Sequence, residues 1–247
     1  MWEDFALFAA VGFIAQLVDG CIGMAFGLLG TSVLLASGVT PVIASSTVHA
    51  AEVFTTGISG LSHWRFGNIN WRLAFRLAVP GAVGGALGAY VLTTIPVDVI
   101  KPVINVYLLL MGLWILYKAF HKWMAPADPP AWAPALGLAG GFLDAIGGGG
   151  WGPMVTSTLI GQGTAPRFVV GSVSLSEFLV TTTVSITFLG TIGLELWPII
   201  AGLILGGALA APLAAFGAKK VPARGLMVLA ALVILGLSVR GLIQVLG

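Results

Sequence analysis

Apolar and polar positions alternate along this chain in long blocks. Ten apolar segments can be marked, at roughly 5–19, 22–38, 42–64, 72–94, 99–120, 131–146, 151–163, 166–190, 196–218 and 223–246. A helix that spans a bilayer needs about 20 apolar residues. The third to fifth and eighth to tenth segments reach that length. The first, second, sixth and seventh fall short, and glycine-rich turns join them in two pairs. Each pair predicts a helix that breaks or re-enters within the membrane. The one polar connector of any length, 121–130, separates a first half, 1–120, from a second, 131–247.

The two halves repeat. A shift of 125 positions aligns Gly12 with Gly137, Asp19 with Asp144, Gly23 with Gly148 and Gly27 with Gly152. It also aligns Thr31-Ser32 with Thr156-Ser157, Gly38 with Gly163, Pro41 with Pro166, Glu52 with Glu177 and Thr56 with Thr181. With two matched aliphatic pairs this gives 12 identities over the 45 ungapped positions 12–56. An apolar composition inflates matches of Leu and Val, not of Asp, Glu, Thr-Ser and Pro.

The basic residues set the orientation. If the halves are inverted, nine Lys and Arg fall on one side and two, Lys101 and Arg240, on the other. If the halves run parallel, the split is six against five. The expected fold class is therefore an all-α integral membrane protein of two inverted repeats, each of about five helical segments. Both termini would be periplasmic and the 121–130 linker cytoplasmic. Inverted repeats are the usual plan of secondary transporters, with the substrate held near the midplane.

Composition agrees. Hydrophobic residues make up 58% of the 247 and charged residues 8%, against about 25% in a soluble domain. With a net charge of +2 and no basic cluster, nucleic acid is excluded as a partner. Cys21 is the sole cysteine, so there is no disulfide framework. The first segment lacks the basic leader and cleavage site of a signal peptide and is expected to be retained.

Two acids carry the first chemical signal. Glu52 and Glu177 lie eleven to twelve residues into their segments, so both sit ~16–18 Å deep in a ~30 Å core. A carboxylate there is costly unless it is protonated, paired or wetted. Ser45, His49, Glu52, Thr56, Ser59 and His63 recur at helical spacing and form one polar stripe. Ser174, Glu177, Thr181 and Ser185 form a second. Either two such stripes line a central cavity, or the glutamates are protonated and glue helices together. His49, three residues before Glu52, is placed to pass it a proton or to balance an anion. Ser174 occupies the matching position in the second half.

The turns carry the second signal. They read Asp19-Gly-Cys-Ile-Gly23-Met-Ala-Phe-Gly27 and Asp144-Ala-Ile-Gly-Gly148-Gly149-Gly150-Trp-Gly152-Pro153. Glycines there allow backbone amides and a helix N-terminus to approach an anion, or simply permit tight helix crossings. Thr31, Ser32, Thr156 and Ser157 would add hydroxyl donors. Asp19 and Asp144 suit helix capping first, and proton or cation binding second.

Enzyme chemistry finds little support. Gly57-Ile-Ser59-Gly60 matches the short motif of intramembrane rhomboid proteases. No histidine on another membrane element is available to activate Ser59, since His49 and His63 share its segment and His121 lies in the connector. The spacing shows neither a phosphate loop nor a metal-ligand set, and no cofactor is expected.

At these residues the chain resembles the TauE/SafE family of sulfite exporters. The match rests on the two Asp-initiated glycine turns, on the patterns Gly38-Val-Thr-Pro41 and Gly163-Thr-Ala-Pro166, and on the duplication. It covers essentially the whole chain. The resemblance implies a permease of the bacterial inner membrane that exports small sulfur-containing anions such as sulfite or organosulfonates. From the residues, proton coupling through Glu52, Glu177, Asp19 and Asp144 is the expectation. A carrier of another organic acid or of a cation, and a non-transport membrane subunit, are the competing readings. The partners expected are a small anion and the bilayer, with homodimerisation left open by the sequence.

Overall fold

The computed structural model describes residues 3–121, 130–161, 166–217 and 223–246. Most of the 121–130 linker and Gly163 lie outside the described residues. Among the described residues the chain is all helix with no strand. In the first half, helices α1 (Glu3–Ile22), α2 (Phe26–Ala36), α3 (Pro41–Arg65), α4 (Trp71–Thr94) and α5 (Val97–Phe120) follow one another. The second half has α6 (Ala133–Gly147), a single π turn (Gly152–Thr156) running into α7 (Ser157–Gly161), then α8 (Pro166–Thr191), α9 (Trp197–Gly217) and α10 (Ala223–Leu246). The ten apolar segments thus become ten helical elements.

Five of these helices are long and apolar enough to cross a membrane: those containing Trp71–Thr94, Val97–Phe120, Phe168–Thr191, Trp197–Ala214 and Met227–Val245. α3 matches them in length at 25 residues but falls outside that set. Its Ser, Thr, His and Glu stripe lowers the hydropathy that its length alone would give. α2 and α6, at 11 and 15 residues, are short as expected.

Helix pairing exchanges the halves. α1 packs on α9 and α6 on α4, α3 lies along α8, and α5 lies along α10. Glycines make these approaches possible. A Cβ on Gly12 of α1 would fall 2.8 Å from the Leu203 Cα of α9. Its repeat counterpart Gly137 of α6 would bring one to 2.6 Å from the Leu77 carbonyl oxygen of α4. In lipid, where water drives no helix together, such close backbone contact supplies the dispersion energy of association. The two broken pairs are thereby clamped against long helices, and their turns meet in the interior beside α3.

Candidate functional site

Each aspartate caps the broken helix that follows it. Asp19 Oδ1 accepts hydrogen bonds from the amides of Ala25 (2.8 Å) and Phe26 (3.3 Å). Asp144 Oδ1 accepts from Gly150 (2.6 Å) and Trp151 (2.9 Å). The two caps are repeat equivalents, six and seven residues on in both cases. A carboxylate at this place satisfies donors that a helix start leaves unpaired and complements its dipole. Four turn amides that the sequence offered to an anion are therefore engaged by the protein itself.

The glycines serve the crossing of the two turns. A Cβ at Gly27 would lie 2.6 Å from Gly149 Cα and 2.9 Å from Glu52 Oε1. One at Gly149 would overlap the backbone of Gly27 and Leu28, one at Gly152 the backbone of Met24, and one at Gly148 the side chain of Thr31. Gly148 and Gly149 also hold φ of +66° and +145°, and the second value is open essentially to glycine alone. Gly23 (φ +70°) has only ordinary contacts around it. Of the two readings of these glycines, tight crossing is what their geometry shows.

Where the turns cross, a small cavity of about 10 Å³ opens, room for about one water molecule. Asp19, Glu52, Asp144 and Glu177 all line it, with Gly27, Gly149, Gly150 and Gly152. Met24, Ala25, Phe26, Leu28 and Pro153 complete the wall. Among the described residues no Lys or Arg contributes to it. Eight of the sixteen residues singled out from the sequence thus share one small chamber. Both polar stripes reach it through their glutamates.

The other eight stand behind that wall. Thr31 donates its hydroxyl to the Gly148 carbonyl, and Ser157 donates to the Pro153 carbonyl while receiving the Trp114 indole N–H at 3.0 Å. Ser32 Oγ and Thr156 Oγ1 are buried without a hydrogen-bond partner. Ser174 is buried on α8. Gly23 and Gly148 form the bends at which the first and second turns begin.

His49 makes the contact that sequence reasoning missed. Its Nε2 lies 3.2 Å from Asp144 Oδ2, across 95 residues and between the halves. Both side chains are fully buried. Its Nδ1 lies 2.8 Å from the Ser45 carbonyl oxygen, which can only accept, so Nδ1 carries a hydrogen. The Ser45 hydroxyl donates to the Ala145 carbonyl at 2.6 Å and ties the same turn of α3 to the end of α6. Glu52, one turn on, keeps Oε2 buried and without a hydrogen-bond partner. One ligating atom from each of His49, Glu52 and Asp144 falls within 4.8 Å of the others. Nothing in the linear spacing announces this trio, because its third member comes from the other repeat.

Two aromatic residues of α5 were also not singled out. The Tyr107 hydroxyl donates to the Gly149 carbonyl at 3.1 Å, and Trp114 Nε1 lies 3.3 Å from the Pro153 carbonyl as well as close to Ser157. Both brace the second turn.

Comparison with known proteins fits this architecture. The sulfite exporter TauE/SafE family model matches residues 8–241. The chain belongs to that family. It is a multi-pass membrane transporter by that membership and by its apolar helices. It is 43% identical over 228 residues to a protein of Bacillus subtilis (strain 168) named "Probable membrane transporter protein YtnM". That alignment covers 88% of this chain and 76% of the relative. It is 28% identical over 178 residues to "Probable membrane transporter protein ORF9" of Sinorhizobium sp, covering 70% of this chain and 61% of that relative. No solved structure matches the chain.

Proposed function

We propose that this protein is a secondary transporter that exports small sulfur-containing anions, such as sulfite or organosulfonates, across the bacterial inner membrane in company with protons. The observation that carries the reading is the cavity where the two turns cross, lined by four carboxylates and, among the described residues, by no Lys or Arg. An anion that enters beside ionised Glu52 and Glu177 is repelled at short range in a medium that screens little. Protonation of those two glutamates removes the repulsion, so the anion and the proton favour one another's binding. Such mutual preference is what couples two fluxes.

Asp19 and Asp144 hold the turns in place as caps, so the glutamates are the acids left to titrate with transport. Gly27 and Gly152 present backbone to the cavity. Ser32 and Thr156, with their unpartnered hydroxyls, are the donors kept for the anion as the turns move. The halves act as inverted repeats, 1–120 and 131–247, that rock about this central point with both termini periplasmic. The nine-to-two distribution of basic residues and the exchange of helix partners between the halves support that arrangement.

Uptake into proteoliposomes tests the reading. Sulfite, sulfate, thiosulfate, short sulfonates and short carboxylates would be offered with and without an imposed pH gradient. Saturable, gradient-dependent uptake of a sulfur anion is the expected result. Glu52→Gln and Glu177→Gln are expected to flatten the pH profile, since glutamine mimics the protonated acid permanently. An unchanged profile in both variants rejects the coupling. A second reading is a carrier coupled to a cation rather than to protons, and the His49, Glu52 and Asp144 trio favours it. Dependence of uptake on the cation supplied, with no response to pH, would select that reading.

A further inference from the structure

The His49, Glu52 and Asp144 trio has the features of a prepared coordination site. We infer that these three side chains bind a divalent transition-metal ion of the zinc type, with His49 Nε2, Asp144 Oδ2 and a Glu52 carboxylate oxygen as ligands.

Four observations carry this. The first is spacing. Two ligands bonded at about 2.0–2.1 Å in a tetrahedral set stand about 3.3 Å apart. His49 Nε2 and Asp144 Oδ2 are already 3.2 Å apart. The second is the outer support. A ligating histidine typically donates its other ring N–H to a carbonyl or carboxylate, which fixes the tautomer and turns the free lone pair to the metal. His49 Nδ1 does this to the Ser45 carbonyl at 2.8 Å. Asp144 is held likewise, because its other oxygen accepts the amides of Gly150 and Trp151. The third is Glu52, a carboxylate 3% exposed whose Oε2 has no hydrogen-bond partner and whose side chain lines the cavity. Glu52 stands on the same helix as His49, and a ligating atom of it already lies within 4.8 Å of those of His49 and Asp144. The fourth is charge. Two carboxylates and a neutral imidazole total −2, and neither α6 nor α3 before its terminal Arg65 carries a Lys or Arg to offset it. A dication matches that charge, and the imidazole selects zinc-like ions over calcium or magnesium.

Three protein ligands leave a fourth position turned to the cavity, as in zinc sites that accept a small anion. That last consequence rests on the anion-transport reading, whereas the metal site stands without it.

The test uses the full chain purified in detergent and stripped with a chelator. Zn²⁺ alone is titrated by calorimetry, and Co²⁺ is followed by its visible absorption. One equivalent of Zn²⁺ is expected to bind, and Co²⁺ to give the intense bands of a four-coordinate ion. His49→Ala and Glu52→Gln are each expected to weaken binding at least ~10-fold, as loss of a ligand should exceed loss of an outer-shell partner. The His63→Ala/His121→Ala double variant is expected to retain full affinity, since both residues lie away from the cavity. Helical circular dichroism checks that each variant is folded. The site is rejected if folded protein binds no Zn²⁺ stoichiometrically, or if binding survives His49→Ala unchanged. Protein that binds no Zn²⁺ yet carries a sulfonate loses the metal site and keeps the transport reading. Protein that binds Zn²⁺ and carries no anion does the reverse.

Discussion

The first and second broken pairs share a backbone plan but differ in what holds them. Both are opened by an aspartate that caps the next helix through the same two relative positions. The second turn is then fixed from outside by His49 on Asp144, Ser45 on Ala145, Tyr107 on Gly149, and Trp114 on Pro153 and Ser157. The repeat counterparts of Ser45 and His49 are Val170 and Ser174, and the positions 125 residues after Tyr107 and Trp114 hold Leu232 and Val239. Only Ser174 among these keeps a polar side chain. The two halves thus share the parts that shape a turn, and the polar braces are present at the second. Among the described residues, the second turn is the more heavily braced of the two.

This contrast can be broken or sharpened experimentally. The largest effect is expected at Gly149. Its φ of +145° and its overlap with Gly27 and Leu28 leave no room for a methyl group, so Gly149→Ala should abolish recovery of folded protein by size-exclusion chromatography. Gly23→Ala on the first turn meets only ordinary contacts. It should cost about 1–2 kcal/mol, the strain of its left-handed backbone. Equal loss in both variants would contradict the view that the second turn is the tighter element.

Next come the aspartates. Asp144→Ala removes a double cap and leaves His49 buried without its partner, a loss of about 3–5 kcal/mol. Asp19→Ala removes a cap alone and should cost about 0.5–2 kcal/mol. Thermal unfolding in detergent measures both, and a larger shift for Asp19→Ala would invert the comparison. The smallest effects belong to the α5 braces. Tyr107→Phe deletes one hydrogen bond to the Gly149 carbonyl and should cost about 0.5–1.5 kcal/mol. The equivalent Leu232→Ala change touches no polar brace. Hydrogen exchange should therefore rise at the second turn in Tyr107→Phe and leave that turn unchanged in Leu232→Ala.

Much of this was legible in the residues. Helix lengths followed from the apolar runs because a membrane span admits few alternatives. The two glutamates line one interior cavity, and it was their helical spacing that singled them out in the sequence. The turns were located by glycine, but their use was not. Gly27, Gly148, Gly149 and Gly152 serve a crossing of two turns, and a crossing between distant segments leaves no mark in local spacing. His49 was read against Glu52, its helical neighbour, whereas its hydrogen-bond partner Asp144 comes from the other repeat. The hydroxyls of Thr31 and Ser157 looked available because their acceptors, the carbonyls of Gly148 and Pro153, exist as partners only once the turns are folded. The π turn at Gly152–Thr156 had no sequence signal beyond its proline and glycines.

The central claim is that an anion and a proton cross together through the cavity. It is tested most directly by a permanently ionised sulfonate, which brings no titratable proton of its own. Proteoliposomes holding a pH-sensitive dye would receive a sulfonate gradient with the membrane potential clamped. Proton movement in the direction of sulfonate flux, absent from protein-free vesicles and lost in the Glu52→Gln/Glu177→Gln double variant, is the predicted result. Sulfonate flux with no proton movement, or proton movement that persists in the double variant, would contradict the account.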